Sequence, residues 1–290
     1  MKRITLTQGG PAVSRIVAGA WRWTISVEDI ERLIHRALEL GMTTFDNADI
    51  YGDYQNETLF GKALERNPSL RDKMEIVTKC GIMLVSKNRP DNKFKHYNTS
   101  KQHITKSVEH SLKVHYTDRL DLLLIHRPDP LMRAEEVAEA FTSLKKQGKV
   151  LHFGVSNFTT AQFDLLQSRL DFPLVTNQLE ISLTHQQYLF DGTVDNLMRI
   201  GVAPTAWSPL GGGSLVTHPS EMLEEKARKY QVTPSQLLLA WLLHHPSNIV
   251  PVVGTTKPDR LSEAAAAVNI QLDRQDWYDM WSAGKGSPVP

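Results

Sequence analysis

A single stretch, residues 137–156, decides the fold class, because it contains one helix and one strand. It reads VAEAFTSLKKQGKVLHFGVS. Its first half places apolar side chains at the spacing typical of a helix, namely at Val137, Ala140, Phe141 and Leu144. Gly148 supplies a left-handed stop, and Val150–Ser156 is a short apolar run typical of a strand covered on both faces. The stretch is therefore a helix–strand unit of the kind that builds α/β folds.

The same unit recurs along the chain and predicts a barrel. Strands are expected at Ile16–Trp21, Met42–Asp46, Glu75–Lys79, Leu120–His126, Val150–Ser156, Leu174–Gln178, Val202–Trp207 and Ile249–Val253. Such strands alternating with helices predict an α/β fold, the (β/α)8 TIM barrel, and we expect residues 1–290 to form one such domain. A doubly wound open sheet competes with it, but the usual fingerprint of that fold, Gly-x-Gly-x-x-Gly, does not occur in the sequence. Lys2–Thr7 and the segment after Gly10 predict a short N-terminal β-hairpin that can close the bottom of the barrel.

The composition argues against several classes of protein. The chain has 290 residues, 33 basic and 32 acidic side chains and a formal charge of +1, so we expect no nucleic-acid partner. Its one cysteine, Cys80, indicates a reducing, cytoplasmic compartment. The first residues lack the apolar core of a signal peptide, and the longest apolar run, Leu237–Leu243, is far shorter than the ~20 residues that cross a bilayer. We therefore expect an enzyme with no membrane partner, as a monomer or a weak homo-oligomer.

Four polar residues lie at the carboxyl ends of the predicted strands, where barrel enzymes carry out their chemistry. They are Asp46 at the end of the second strand, Tyr51 in the loop that follows it, Lys79 at the end of the third strand and His126 at the end of the fourth. A free phenol, with a pKa near ~10, is a weak acid at neutral pH, and a neighbouring ammonium lowers that pKa. An aspartate can hold the ammonium in place, and a histidine can orient a carbonyl oxygen. The four residues therefore predict proton donation from Tyr51 to a carbonyl.

Five short motifs surround these residues and extend along nearly the whole chain. They are Phe45–Gly52 (FDNADIYG), Thr78–Gly81 (TKCG), Ile125–Asp129 (IHRPD), Gly154–Phe158 (GVSNF) and Trp207–Leu210 (WSPL). In this order they resemble the aldo-keto reductase family. The resemblance implies a (β/α)8 barrel that reduces small aldehydes and ketones with NADPH. It implies that Tyr51 is the general acid, that Lys79 and Asp46 tune it, and that the carbonyl is oriented by His126.

The resemblance also implies which residues contact the cofactor. The nicotinamide carboxamide would form hydrogen bonds with Ser156, Asn157 and Gln178. Trp207 occupies the position at which the family most often has a tyrosine that stacks on the nicotinamide. Lys257 and Arg260 resemble contacts to the 2′-phosphate, which favours NADPH over NADH. The remaining expected contacts are Gly19, Trp21, Ser208, Pro209, Leu210, Gly211, Gly212, Gly254, Thr255, Thr256 and Glu263. No metal site is expected, because the histidines and the cysteine lack ligand spacing.

The sequence features that bear on the substrate pocket are less specific than the motifs above. Trp21 and Trp23 follow the first strand, either as aromatic substrate contacts or as packing in the wall. The long stretch Ile82–Ser100 carries several basic residues and exceeds ordinary loop length, so a basic lid is one interpretation of it. The final helix is expected at Asp273–Trp281, and the resemblance implies that a tail as short as 283–290 goes with an open, permissive pocket.

Two enzyme classes and one regulatory class compete with this interpretation. A glycoside hydrolase needs two facing carboxylates, and only Glu180 and Asp46 are candidates. A serine hydrolase is disfavoured because Gly154–Phe158 lacks the second glycine of the nucleophile elbow. The regulatory alternative is a nucleotide-binding subunit like those of potassium channels, which resemble the same family. Turnover of NADPH with aldehydes distinguishes the enzyme from the regulatory subunit.

Overall fold

The computed structural model describes residues 1–288, so the last two residues of the expected domain, 289–290, lie outside the described residues. The strands are β1 (Arg3–Thr5), β2 (Ala12–Ser14), β3 (Val17–Gly19), β4 (Thr44–Asp46), β5 (Glu75–Cys80), β6 (Ile82–Met83), β7 (His96–Tyr97), β8 (Leu120–Ile125), β9 (Val150–Ser156), β10 (Leu174–Glu180), β11 (Thr205–Trp207) and β12 (Val250–Val253). The α-helices are α1 (Val27–Glu39), α2 (Tyr51–Tyr54), α3 (Asn56–Arg66), α4 (Lys101–Val114), α5 (Ala134–Lys146), α6 (Thr160–Gln167), α7 (Thr193–Arg199), α8 (Ser214–Thr217), α9 (Glu221–Tyr230), α10 (Pro234–Leu243), α11 (Pro258–Ala266) and α12 (Arg274–Lys285).

Eight of these strands form a closed parallel barrel. Their order around it is β3, β4, β5, β8, β9, β10, β11 and β12, and β12 pairs with β3 to complete the circle. The (β/α)8 barrel predicted from the sequence is confirmed, and the open sheet is excluded. Because every strand runs in the same direction, all the carboxyl ends meet at one mouth.

Helices such as α1 and α5 pack on the outside of the barrel through one apolar face. In α1 the side chain of Ser26 accepts a hydrogen bond from the backbone N–H of Asp29, which caps the helix at its first turn. The buried residues of α1 are Ile30, Leu33, Ile34 and Ala37. In α5, Phe141 stacks on Phe153 of β9 with ring centroids 4.3 Å apart. The period of the apolar residues thus fixes which face of each helix covers the strands.

An antiparallel hairpin of β1 and β2 closes the end of the barrel opposite the mouth. The predicted hairpin is therefore confirmed. Leu6 and Val13 are buried in one apolar cluster with Val77 and Leu124, which point into the barrel. The backbone N–H of Ala203 donates to the carbonyl oxygen of Leu6 at 2.7 Å, which joins the hairpin to the segment before β11. The interior of the barrel is consequently filled at this end.

One long connection leaves the barrel between β5 and α4. It contains the small antiparallel pair β6–β7, in which Ile82 lies opposite Tyr97 and Met83 opposite His96. We call residues 82–97 the excursion. It begins two residues after β5, so it starts at the mouth of the barrel beside the strand that carries Lys79.

Of the predicted strands only Val150–Ser156 matches the structure at both ends, and the others differ at a boundary by one to three residues. The first barrel strand ends at Gly19, because the chain turns at Ala20, whose carbonyl accepts a hydrogen bond from the N–H of Trp23. The final helix continues to Lys285, so the expected short tail begins later than Ala283. Among residues 1–288, no helix combines the length and the apolar character needed to span a membrane.

Candidate active site

Four polar side chains meet at the mouth of the barrel. Asp46 is the last residue of β4, Lys79 precedes the last residue of β5, His126 directly follows β8, and Tyr51 begins α2. Because β4 pairs with β5 and β5 with β8, three of these residues stand on adjacent strands. The structure thus places together the four residues that the sequence analysis assigned to catalysis.

The ammonium of Lys79 is the centre of the group. Its Nζ donates to Oδ1 of Asp46 at 2.6 Å, to the carbonyl oxygen of Asn47 at 2.8 Å and to the phenolic oxygen of Tyr51 at 3.0 Å. The other carboxylate oxygen of Asp46 accepts from the side-chain amide of Gln178 at 2.9 Å. The side chain of Lys79 is fully buried and that of Asp46 is 4% exposed. A buried ion pair with every donor satisfied is a rigid platform for the phenol.

The pKa of Tyr51 corrects one expectation. We expected Lys79 to lower it, but burial raises the pKa of Tyr51 above its ordinary value, and the charge of Lys79 only partly opposes that effect. Burial alone would lower the pKa of Lys79, yet the neighbouring Asp46 and Tyr51 outweigh it, and the pKa is raised. In this structure the phenol is therefore protonated and the amine is an ammonium ion at neutral pH.

His126 is held neutral beside the phenol. Burial, followed by the charges of Lys79, Arg127 and Lys95, lowers its pKa well below the usual range. Its ring lies edge-on to that of Tyr51, with centroids 5.9 Å apart. Within residues 1–288, the buried Nδ1 of His126 has no hydrogen-bond partner. The imidazole thus keeps free hydrogen-bonding capacity at the mouth of the barrel.

A left-handed turn places Tyr51 after β4. The short element α2 is not a regular right-handed helix, because its residues Gly52, Asp53 and Tyr54 have φ angles of 56°, 56° and 68°. At Gly52 a Cβ atom would lie 1.9 Å from Oδ1 of Asn56, so only glycine fits there. Asn56 in turn donates to the carbonyl oxygen of Ala20 at 2.9 Å, which ties the turn to the end of β3. The conformation that positions Tyr51 is therefore fixed by its surroundings.

A second polar cluster lies at the ends of β9, β10 and β11. Asn157, with φ 60°, donates from Nδ2 to the hydroxyl of Ser156 at 2.7 Å, and that hydroxyl donates to the carbonyl oxygen of Gln178 at 2.9 Å. The indole of Trp207 donates to Oδ1 of Asn157 at 3.0 Å, and the guanidinium of Arg127 lies 5.1 Å from the ring centroid. The residues expected to hold the nicotinamide are therefore brought together, and Gln178 joins them to Asp46.

The loop after β11 leaves its backbone accessible. Gly211, Gly212 and Gly213 all have positive φ, and Cβ atoms at the last two would meet nothing within 4 Å. The guanidinium of Arg22, from the loop after β3, donates to the carbonyl oxygen of Gly212 at 3.0 Å. Of the other expected contacts in this loop, Pro209 is buried, and Ser208 and Leu210 are half-buried. Backbone amides in such a glycine loop can approach an anion closely.

The end of β12 and the start of α11 bring further expected residues to the same mouth. A Cβ atom on Gly254 would lie 3.7 Å from the carbonyl oxygen of Gly19, so the ends of β12 and β3 are adjacent. Lys257 and Arg260 are exposed, as is Thr256, and neither cation has an ion-pair partner in the described part of the chain. Glu263 accepts hydrogen bonds from the hydroxyls of Thr233 and Ser235, so its carboxylate is directed towards α10.

The two tryptophans after β3 have different surroundings. Trp21 is 56% exposed at the mouth. Trp23 is 1% exposed, stacks on Phe60 with centroids 6.0 Å apart, and donates from its indole to the carbonyl oxygen of Thr255 at 2.8 Å. The placement of Trp23 corresponds to packing in the wall, and it does not support a contact with substrate. The sequence could not distinguish the exposed tryptophan from the buried one, because both are aromatic residues in the same short segment.

Three residues at the mouth were not predicted to act there. They are Arg22, which reaches Gly212, Arg127, which stacks on Trp207, and Tyr54, whose phenol accepts from the backbone N–H of Leu84 at 2.7 Å. Each lies within three residues of a predicted site residue. Their partners, however, are distant in the sequence, so the contacts became visible only in the folded chain.

The closed parallel barrel with a polar cluster at its carboxyl ends defines a (β/α)8-barrel enzyme. The model of the Aldo/keto reductase family matches residues 15–284. Oxidoreductase YdhF from Escherichia coli (strain K12) is 48% identical over 100% of both chains, and a 6-dehydroglucose reductase from Agrobacterium fabrum is 43% identical over 100% of both chains. The chain belongs to the aldo/keto reductase family and is an oxidoreductase.

Solved structures show the same fold. A thermostable aldo-keto reductase in complex with the inhibitor epalrestat superimposes with a TM-score of 0.84 at 28% identity, covering 97% of this chain and 99% of that one. An aldo/keto reductase from Klebsiella pneumoniae in complex with NADP and acetate gives 0.80 at 23% identity, covering 100% of this chain and 98% of that one. The latter similarity bears on the fold alone.

Proposed function

We propose that this chain reduces small aldehydes or ketones to alcohols with NADPH, with Tyr51 as the proton donor. The observation that carries the proposal is the buried contact of the Lys79 ammonium with both Tyr51, at 3.0 Å, and Asp46, at 2.6 Å. A cation in this place stabilises the phenolate that remains after the proton has left. Family membership supplies the reaction class, and the reductases and oxidoreductases among the relatives are consistent with it.

The residues at the mouth fit a phosphorylated dinucleotide. The accessible backbone of Gly211–Gly213 suits a pyrophosphate, and the exposed Lys257 and Arg260 suit a 2′-phosphate. Trp207 offers an indole ring beside Asn157, where a nicotinamide can stack. When bound, the reduced nicotinamide supplies a hydride to the carbonyl carbon.

The chain's own part in the reaction is to orient the carbonyl and deliver a proton. His126 is neutral and can donate one hydrogen bond to the carbonyl oxygen. The phenol of Tyr51 gives its proton to the same oxygen, and Lys79 stabilises the charge left on the phenol. Asp46 keeps the ammonium in contact with the phenol throughout, and Gln178 fixes the free oxygen of that carboxylate.

Replacing Tyr51 by Phe tests the proton donor. Removing a general acid lowers kcat by about 10²–10⁴-fold. We expect this loss in Tyr51→Phe, measured as NADPH oxidation with a panel of small aldehydes, ketones and sugar aldehydes, the last chosen because of the 6-dehydroglucose reductases among the relatives. Binding of NADPH, measured by fluorescence titration, should change little. Tyr116→Phe, at an exposed tyrosine after α4, is the matched control and should keep full activity.

The two possible failures of this test have different meanings. Wild-type turnover in Tyr51→Phe would show that another group supplies the proton. Tight NADPH binding by the unaltered chain without turnover of any carbonyl would instead favour the nucleotide-binding regulatory role.

Replacing Arg260 tests the choice of cofactor. The guanidinium is exposed at the start of α11, where a 2′-phosphate can pair with it. We expect Arg260→Met to weaken NADPH binding about tenfold or more, as for the loss of a charge-assisted hydrogen bond of about 1.5–3 kcal/mol. Binding of NADH, which lacks that phosphate, should be almost unchanged. Equal weakening of the two cofactors would contradict the role of Arg260.

A further inference from the structure

The turn that carries Tyr51 adopts a conformation that side chains disfavour. Three consecutive residues, Gly52, Asp53 and Tyr54, lie in the left-handed region, with φ angles of 56°, 56° and 68°. Glycine tolerates this region, but an aspartate followed by a bulky tyrosine does so only when surrounding contacts hold it. Tyr51 directly precedes this segment, so whatever holds the turn also holds the phenol.

The excursion supplies those contacts. The backbone N–H of Leu84 donates to the phenolic oxygen of Tyr54 at 2.7 Å, and the guanidinium of Arg89 lies 4.4 Å from the centroid of the same ring. The side-chain amide of Asn88 donates to the carbonyl oxygen of Asp53 at 2.9 Å and to its carboxylate at 3.1 Å. Both non-glycine residues of the strained turn are thus bound by one segment.

The excursion is itself fixed to the strand that carries Lys79. Its strand β6 begins at Ile82, two residues after the end of β5, and pairs with β7. Within the excursion, Asn92 donates from its side-chain amide to the carbonyl oxygen of Leu84 at 2.9 Å. The segment that holds the turn of the phenol is therefore continuous in the chain with the strand that carries Lys79.

We propose that Tyr54 is a positioning residue, whose contacts with Leu84 and Arg89 hold the Tyr51 phenol against the Lys79 ammonium. This inference rests on the proposed role of Tyr51 as proton donor. Tyr54 need not touch the substrate or the cofactor, because it acts through the turn. The excursion then contributes to catalysis as a support for the acid, in addition to any effect it has on access to the mouth.

The variant Tyr54→Phe tests the hydrogen bond with the least disturbance, because it removes only the phenolic oxygen. A displacement of a reacting group by about 1 Å lowers rates by up to about 10²-fold, so we expect kcat to fall about 10-fold or more. The dissociation constant of NADPH should stay the same. Tyr51, no longer held against Lys79, loses the effect that lowers its pKa, so the basic limb of the kcat–pH profile should move to higher pH.

A matched control separates positioning from general damage. Tyr116 is also a tyrosine in the left-handed region, with φ 52°, but it follows α4 at the opposite end of the barrel from the mouth. Tyr116→Phe should change neither kcat nor the pH profile. A purely structural role of Tyr54 would lower the melting temperature without moving the pH profile, and that result would overturn the proposal.

A second pair of variants makes the test independent of the stability of Tyr54→Phe. Asn88→Ala removes both bonds to Asp53, and we expect a smaller loss of kcat with the same shift of the pH profile. Lys87→Met changes the adjacent exposed residue, which has no hydrogen bond or ion pair within residues 1–288, and should behave as wild type. Unchanged kcat and pH profile in folded Asn88→Ala, together with unchanged values in Tyr54→Phe, would refute the inference.

Tyr51→Phe, assayed in the same series, distinguishes the failure of this inference from the failure of the proposed function. If Tyr51→Phe is inactive and Tyr54→Phe retains wild-type kcat, only the positioning role of Tyr54 is wrong. If Tyr51→Phe retains turnover, the proton donor itself is misassigned, and Tyr54 has no acid to position.

Discussion

Strand β5 has a buried ion pair near each of its ends, and the two pairs differ in what surrounds them. Near the amino end, Arg71 donates to Asp121 at 2.8 Å, and its side chain is 9% exposed. Near the carboxyl end, Lys79 donates to Asp46 at 2.6 Å. Each pair joins a basic side chain to an aspartate. Each also connects β5 to another element of the fold.

The pair at the amino end makes its hydrogen bonds to fixed groups of the chain. Arg71 also donates to Thr117 Oγ1 at 2.8 Å and to the carbonyl oxygens of Met74 and Arg119 at 3.0 and 2.8 Å. Asp121 additionally accepts from the backbone N–H of Ile76 at 2.8 Å. None of these partners can exchange a proton with a ligand, so the pair serves the fold alone.

The pair at the carboxyl end lies beside polar groups that can still form a hydrogen bond or transfer a proton. One donor of Lys79 is directed at the phenol of Tyr51, and the buried Nδ1 of His126 and Oδ1 of Asp49 have no partner among the described residues. Burial, with the charge of Glu57, raises the pKa of Asp49 well above its usual range. We therefore expect the pair to be structural where all its hydrogen bonds go to fixed groups of the chain, and functional where one of them reaches the phenol of Tyr51. This matches the separation of stability and activity between the two ends of such barrels.

The largest expected effect comes from replacing the cation of each pair by Met. Both variants leave a buried or largely buried carboxylate without its cation, so both should lose free energy of unfolding, with about 3–5 kcal/mol expected for Arg71→Met. Only Lys79→Met should also lose kcat, by about 10²–10⁴-fold, because the phenolate of Tyr51 is no longer stabilised. Denaturant titration gives the stability, and kcat per folded molecule gives the activity. A large loss of kcat in folded Arg71→Met would contradict the comparison.

The sequence predicted the fold well because the decisive pattern is local. Alternating apolar helix faces and short apolar strands recur in units such as Val137–Ser156, and each unit can be recognised without knowing its neighbours. The error at Trp21 has a tertiary cause. Its apolar side chain extends the apolar run, but the chain has already turned at Ala20, and the side chain is exposed at the mouth.

The sequence also predicted which residues gather at the mouth, because strand ends determine their positions. It could not predict the sign of the pKa shift of Tyr51, because that sign depends on how deeply the phenol is buried against the charge of Lys79. Nor could it predict the contact between Tyr54 and Leu84, which joins residues thirty positions apart through a left-handed turn. Contacts of this kind depend on tertiary structure.

The smallest expected effect comes from two buried histidines, of which only His126 borders the phenol of Tyr51. Burial lowers the pKa of His126 at the mouth and of His115, which follows α4. At His115 the charge of Glu57 opposes this effect and that of Arg71 adds to it. Below a pH of about 6.5 the unfolded chain therefore binds more protons than the folded chain, and the free energy of unfolding falls as the pH decreases.

Each imidazole should contribute a slope of up to about 1.4 kcal/mol per pH unit below about 6.5. His115→Gln and His126→Gln should each reduce that slope in denaturant titrations between about pH 6.5 and 5, since glutamine does not titrate. Only His126→Gln should also reduce kcat, because only His126 borders Tyr51, with ring centroids 5.9 Å apart. Were the slope unchanged in His115→Gln, that imidazole would already be charged in the folded protein, and Glu57 would outweigh its burial. Loss of kcat in His115→Gln would contradict this expectation, because the ring of His115 contacts Phe60 and the backbone of Ser111 and not the phenol of Tyr51.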